Sequence, residues 1–240
     1  MKNKRVVFFV SMVLSLVLAS SSSFAETTSA PSGIDVSKSK VITANQAIIS
    51  VDDKDYSVII EDKAKGKVTE GMIKNIIEKD PTNDGQIIIY EVGNPAIPEE
   101  SMSATALPYF DIVTTKTYSG RNFFYDTSFV TSVAKGETYS FSSSEEFTNS
   151  ASISGSASAT DLGITASQSK TYTHSWVFTG PPESSSYNTR SFYIDWYDNG
   201  GVYTQTCYYV NGSSRKIEWQ ETGMFYEPYR YVTYSRDSNA

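Results

Sequence analysis

Residues 138–179 read TYSFSSSEEFTNSASISGSASATDLGITASQSKTYTHSWVFT, with Ser or Thr at nearly every second position over long stretches. A side-chain period of two places alternate residues on opposite faces of a sheet. The stretch therefore predicts strands with one hydroxyl-rich face and one small, aromatic or aliphatic face. On its first half the less polar set is odd-numbered: Tyr139, Phe141, Phe147, Ala151, Ile153, Gly155, Ala157 and Ala159. On its second half it is even-numbered: Leu162, Ile164, Ala166, Tyr172, His174, Trp176 and Phe178. The parity changes at Thr160-Asp161, which marks a turn or bulge joining two long strands into one hairpin. Each arm is longer than the usual globular strand and meets the roughly 9 to 11 tilted residues that cross a bilayer.

Around this ladder the composition divides in two. Residues 56–61 (YSVIIE) and 86–92 (QIIIYEV) are strand-like apolar runs. Between them Met72, Ile73, Ile76 and Ile77 form one helical stripe, with Thr69 as its N-cap and residues 80–85 (DPTNDG) as its stop. The order is β-α-β, which suits a right-handed parallel pair. Residues 94–108 carry most of a three-proline stretch and read as a linker or extended crossing segment. Beyond Pro108 strand-like segments recur at 109–117, 123–133, 138–159, 164–179, 188–196, 202–210, 215–222 and 229–235. Turn chemistry separates them: Ser119-Gly120-Arg121-Asn122, Lys135-Gly136, Gly180-Pro181-Pro182, Asp198-Asn199-Gly200-Gly201 and Asn211-Gly212. The predicted fold is mainly β, an elongated antiparallel domain over 109–240 preceded by a small β-α-β unit over 26–93.

Compartment and charge narrow the function. Lys2, Lys4 and Arg5 precede an apolar run from Val6 to about Ala19, and Ser23-Phe24-Ala25 follows. That is the pattern of a secretory signal peptide, residues 1–25, too short for a comfortable transmembrane span. Its removal takes three of the 20 Lys plus Arg, leaving 17 against 27 Asp plus Glu, a charge near −10. Such a balance is poorly suited to nucleic acid or anionic lipid through general attraction. Cys207 is the only cysteine, so no internal disulfide forms, and its strand-like setting predicts a small buried hydrophobe.

Catalytic readings find little purchase. The single His174 lies between Tyr172 and Trp176 in a strand pattern, with no G-x-S-x-G elbow nearby. One His and one Cys do not build a zinc cage, and no cofactor motif is present. Asp195, Asp198 and Asn199 lack the regular oxygen spacing of a calcium loop and read as a solvated turn. The expectation is a secreted, non-enzymatic protein with no metal and no cofactor.

A hairpin with a hydroxyl-rich face and a weakly apolar face is what a β-barrel pore requires, because its lumen is wet and its exterior lipidic. The ladder of 138–179 resembles the insertion region of aerolysin-like β-pore-forming toxins. The resemblance implies membrane insertion and self-assembly, with Tyr139, Phe141, Phe147, Ile153, Ala157, Leu162, Ile164, Tyr172 and Trp176 on the lipid-facing side. Glu145, Glu146, Asp161 and Lys170 depart from that pattern, and Glu145 and Lys170 share the lipid face. A charge there costs a few kcal/mol near the bilayer midplane. Those positions therefore sit near a rim, or the hairpin does not insert.

Two alternatives remain. One is a structural extracellular protein whose long hairpin turns its Ser/Thr face to solvent. The other is a binder of cell-wall or other polysaccharide, using aromatic rings that stack on sugars. Trp196, Tyr197, Trp219, Tyr226 and Tyr229 are the ligand candidates, within YIDWYDNGG, MFYEPYRYVTY and the strand between them.

Overall fold

The computed structural model describes residues 39–94 and 109–239. The predicted leader and the predicted linker beyond Asn94 lie outside the described residues. The chain is mostly β, as the sequence predicts. Its elements are β1 (Gln46–Val51), β2 (Lys54–Ile60), α1 (Glu70–Glu78), β3 (Ile87–Val92), β4 (Tyr109–Ala134), β5 (Thr138–Tyr139), β6 (Glu145–Ser150), β7 (Ser152–Ile153), α2 (Ala159–Leu162), β8 (Ser167–Tyr172), β9 (Phe178–Thr179), β10 (Thr189–Asn211) and β11 (Ser214–Ser238).

The β-α-β unit forms where its pattern places it. Thr69 caps α1 by accepting a hydrogen bond from the Met72 amide, and Met72, Ile73, Ile76 and Ile77 are all buried. β2 and β3 pair in parallel, Val58 opposite Ile87. β1, which the sequence reading lacks, adds an antiparallel edge to β2. Its contrast is weak, with Ile48 73% exposed beside Ile49 at 7%.

β3 also pairs with β11, so this unit and the long strands share one sheet in the order β1-β2-β3-β11-β10-β4. Here the structure corrects the sequence reading. The segments 109–117 and 123–133 are one strand, β4, and the residues read as turns at 119–122 and 198–201 lie inside β4 and β10. Asn122 has φ 51° and absorbs a bulge between the pairs Gly120↔Gly200 and Phe123↔Asp198. A Cβ on Gly201 would stand 2.1 Å from the Thr117 carbonyl oxygen, so this glycine serves close strand approach instead of a turn. The segments 215–222 and 229–235 likewise run on as β11, with Pro228 opposite Asp198 at a register shift. The hairpin near Asn211 is present, shifted by one residue. Asn211 opposes Ser214, and Gly212 carries the positive φ at the first loop position.

β10 is buried on both faces, and alternation along it assigns the two sides. Tyr197 joins the core under α1 with Val232, Tyr234 and the isoleucines of β2, α1 and β3, and Tyr193 packs at its edge. Phe192, Ile194 and Trp196 face the other way, beneath the ladder.

The ladder is a hairpin, in a form the sequence does not foresee. β5 pairs with β9 and β6 with β8, both antiparallel. Stepping inward one residue at a time on each arm from Thr138↔Thr179 arrives at Glu145↔Tyr172 and then Ser150↔Ser167. Both pairings therefore keep one register, interrupted only by the equal-length stretches 140–144 and 173–177. Two continuous strands are not formed. Beyond the Ala151 amide, which bonds the Ala166 carbonyl, the arms part. β7 pairs with β11, Ile153 opposite Phe225. The residues read as a turn, Thr160-Asp161, lie inside α2, whose capping box joins Ser158 and Asp161.

Candidate functional site

The ladder lies as a flap on the face of the long strands opposite α1. Its base is held by aromatic packing. Phe141, Phe147, Tyr172, Trp176 and Phe178 meet Val130, Val133, Phe192, Ile194 and Trp196. Ring centroids stand 5.0 Å apart for Phe178–Phe192, 5.1 Å for Tyr172–Phe178 and 5.4 Å for Tyr172–Trp176. The tip is lighter: Leu162 and Ile164 pack with Tyr203 and Phe225, flanked by Ala151, Ile153, Ala157 and Ala159.

All nine residues expected on the less polar side fall on this one face. Leu162, Ile164 and Tyr172 are buried, and Phe141, Phe147, Ile153, Ala157 and Trp176 are half-buried. Tyr139 is 41% exposed at the open end. The opposite face of the first arm, Ser140, Ser142, Ser144, Thr148, Ser150, Ser152, Ser154, Ser156 and Ser158, is exposed throughout. His174 stands exposed in the turn between β8 and β9, not in a strand.

Polar side chains clasp the flap at intervals. Lys170 of β8 is buried and pairs with Glu91 of β3 at 2.5 Å, while the Tyr231 hydroxyl donates to the same carboxylate at 2.8 Å. Burial draws the Glu91 carboxyl upward, but the bonds from Lys170 and Tyr231 prevail and hold it below its ordinary value. Asn149 of β6 donates to Asp198 at 2.6 Å. Burial pushes the Asp198 carboxyl up to about 7, partly offset by Asn149 and reinforced by the charge of Glu227. At the tip, Glu221 accepts from the Ser156 amide at 2.6 Å and from its hydroxyl. The Tyr203 hydroxyl donates to the Ser154 carbonyl at 2.6 Å, and Ser154 exchanges backbone and hydroxyl bonds with Met224. Gly223 makes this approach possible, since a Cβ there would lie 2.5 Å from the Ser154 carbonyl oxygen.

Glu91, Asn149 and Glu221 are absent from the sequence reading as site residues, and Asp198 enters it only in the loop cluster weighed for calcium with Asp195 and Asn199. Their partners lie 49 to 79 residues away, or 65 for Glu221, and no local pattern marks such pairs. The grouping of Asp195 with Asp198 and Asn199 does not form. Asp195 faces α1 and pairs with Lys79 at 2.5 Å, on the opposite side from Asp198.

The ligand candidates do not converge. Trp196 is 2% and Tyr197 0% exposed, in the cores on opposite faces of the sheet, so neither offers a ring to a sugar. Trp219 is 42% exposed, and Tyr226 is half-buried beside Phe123. Trp219 and Tyr229 are separated by ten steps along β11, on the order of 33 Å. Tyr229 lines a cleft of about 360 Å³ with Lys67, Arg121, Asn122, Asn199 and Arg230.

Comparison with family models, with curated proteins and with solved structures finds no match to the chain.

Proposed function

We propose that the chain is a secreted, non-enzymatic protein whose segment 138–179 leaves the sheet, zips in the register it already keeps and enters a membrane within an oligomeric β-barrel. One observation carries the reading: β5–β9 and β6–β8 share a single register across an interruption of equal length on both arms. Closing the interruption requires no slip, and a slip of one residue on one arm would put that arm's hydroxyls on the wrong face.

Extended inward, the same register turns at Ser158 and Ala159. Residues 149–157 and 160–168 then oppose each other, nine a side, within the length that crosses a bilayer. Asp161, beside the turn, is the only charged residue in that span. Glu145, Glu146 and Lys170 fall outside it, which meets the departure noted in the sequence. Once parted from Glu91, Lys170 lies on the same face as Glu145 and diagonal to it, within reach of a cross-strand pair. The first arm's exposed Ser/Thr face supplies a wet lumen. Ala151, Ile153, Ala157, Leu162, Ile164 and Ala166 supply a lipid face weak enough to tolerate water beforehand.

Release of a dye from liposomes by purified protein, before and after limited trypsin, tests this reading. Release accompanied by a membrane-bound ring is the expected result. A persistent monomer and intact vesicles under every condition would contradict it.

A second reading, binding of an anionic polysaccharide, is favoured by the cleft at Tyr229. One ring, three cationic side chains and three carboxamides line it, and among the described residues no carboxylate does. Retention on insoluble peptidoglycan, lost in Tyr229→Ala, is its expected signature, and a fully unbound wild type removes it.

A further inference from the structure

Two carboxylates are buried where the flap meets the long strands, and neither has a cationic partner among the described residues. Asp198 is 0% and Glu227 6% exposed. Asp198 Oδ1 accepts from Asn149, and Glu227 Oε1 accepts from the Tyr118 hydroxyl at 3.0 Å and Asn199 Nδ2 at 3.3 Å. The second oxygen of each, Asp198 Oδ2 and Glu227 Oε2, has no donor among the described residues. A third orphan belongs to a neutral side chain: Oδ1 of Asn122, a residue 2% exposed. Asn122 belongs to the same cluster, because its amide donates to Asn199 Oδ1 at 2.9 Å while Asn199 reaches Glu227.

Leaving two desolvated negative charges side by side is expensive, and a buried acceptor without a donor adds to the cost. A cation bound between Asp198 and Glu227, which repel one another, would relieve both carboxylates, and Asn122 joins them through Asn199. Carboxylate and carboxamide oxygens are hard donors, the set that calcium accepts in flexible geometry and completes with water.

We propose that Asp198, Glu227 and Asn122 bind a hard divalent cation, calcium foremost, and that the bound ion steadies the flap through Asn149. The cation site stands on the buried oxygens alone, whereas the part concerning the flap rests on the release reading above. Asp198 and Glu227 are the carboxylates of β10 and β11 at this point, and β11 also brings Arg230, which lines the cleft beside Asn122 and Asn199. β4 brings Tyr118, its hydroxyl raised to about 12 chiefly by burial, with Arg121 stacked on its ring, and β6 brings only the neutral Asn149.

The test is equilibrium dialysis of the chelated protein against Ca²⁺ at pH 8, with Mg²⁺ and Na⁺ in parallel, and thermal melts on the same samples. One Ca²⁺ per chain is expected, with the midpoint raised by roughly 3 to 6 °C at ten times the dissociation constant. Both effects should vanish in Asp198→Asn and Glu227→Gln, which keep side-chain size. No uptake by the wild type up to 10 mM (about ten times the weakest constant typical of extracellular modules), or uptake undiminished in Asp198→Asn, would overturn the site. Ca²⁺ should also slow subtilisin cleavage within 138–179, and cleavage indifferent to bound Ca²⁺ would overturn the coupling. Dye release is read separately, so loss of the pore reading leaves a measured cation site standing.

Discussion

The β-α-β unit and the flap are both secured to the same sheet, by different means. Under α1 the core is a dense set of isoleucines and valines, with Val58, Ile60, Ile73, Ile77, Ile87 and Ile89 at 0% exposure. Fully burying each such side chain is worth about 1.5–3 kcal/mol, and the attraction has no direction to lose. The tip of the flap has Leu162, Ile164 and small residues, and otherwise relies on Asn149–Asp198, Ser156–Glu221, Ser154–Met224 and Tyr203. Hydrogen bonds of this kind contribute roughly 0.5–1.5 kcal/mol each and exchange readily for bonds to water. The difference separates a permanent attachment from one that a proton, an ion or a partner can undo.

Ile76→Ala is expected to produce the largest effect, a loss of about 2–5 kcal/mol in urea unfolding. Ile153→Ala at the half-buried tip should lose about 1 kcal/mol or less. Equal losses would erase the contrast. Next comes Lys170→Ala, which strands Glu91 beside Tyr231 at a cost of roughly 3 kcal/mol. That cost should appear as faster subtilisin cleavage within 138–179, with the urea midpoint of the α1 core little changed.

Gly223→Ala sharpens the comparison without touching a charge. Its Cβ meets the Ser154 carbonyl and the Tyr203 ring, each at 2.5 Å, so β7 should lift from β11 at a cost of about 1–3 kcal/mol, read by the same cleavage assay.

The smallest effect is the pH response of the clasp at Asp198. With the flap in place this carboxyl is raised to about 7, whereas in water it titrates near 3.9. The closed form thus holds the proton more tightly, so its stability is complete in acid and falls as pH rises through 7. Cleavage of the chelated protein should quicken several-fold from pH 6 to 8, and Asp198→Asn should flatten the response. Glu91 works in the opposite sense. Its depressed value gives stability present above its ordinary pKa and lost as pH falls through the lowered one.

Much of the permanent attachment was legible in the sequence. The Thr69 cap, the stripe of α1 and the runs of β2 and β3 are local patterns, and local patterns suffice there. The two faces of the ladder were legible too, because side-chain alternation survives whether an arm pairs with its mate or with the sheet. The long strands were not. Asn and Gly at 119–122 and 198–201 meet backbone needs that turns and bulges share, positive φ and a missing Cβ. The Ser158–Asp161 box does carry a helix-start signature, hidden by its place at the change of parity. The clasps join residues such as Glu91 and Lys170 across 79 positions, and nothing in either neighbourhood specifies the other.

The central claim is that the flap must leave the sheet in order to act. Ser152 and Tyr226 lie directly opposite each other on β7 and β11. A Ser152→Cys, Tyr226→Cys pair in a Cys207→Ala background would tether the tip there. Dye release from liposomes should be silent while the disulfide is intact and should return when it is reduced. Release by the tethered protein at the rate of its reduced form would contradict the account.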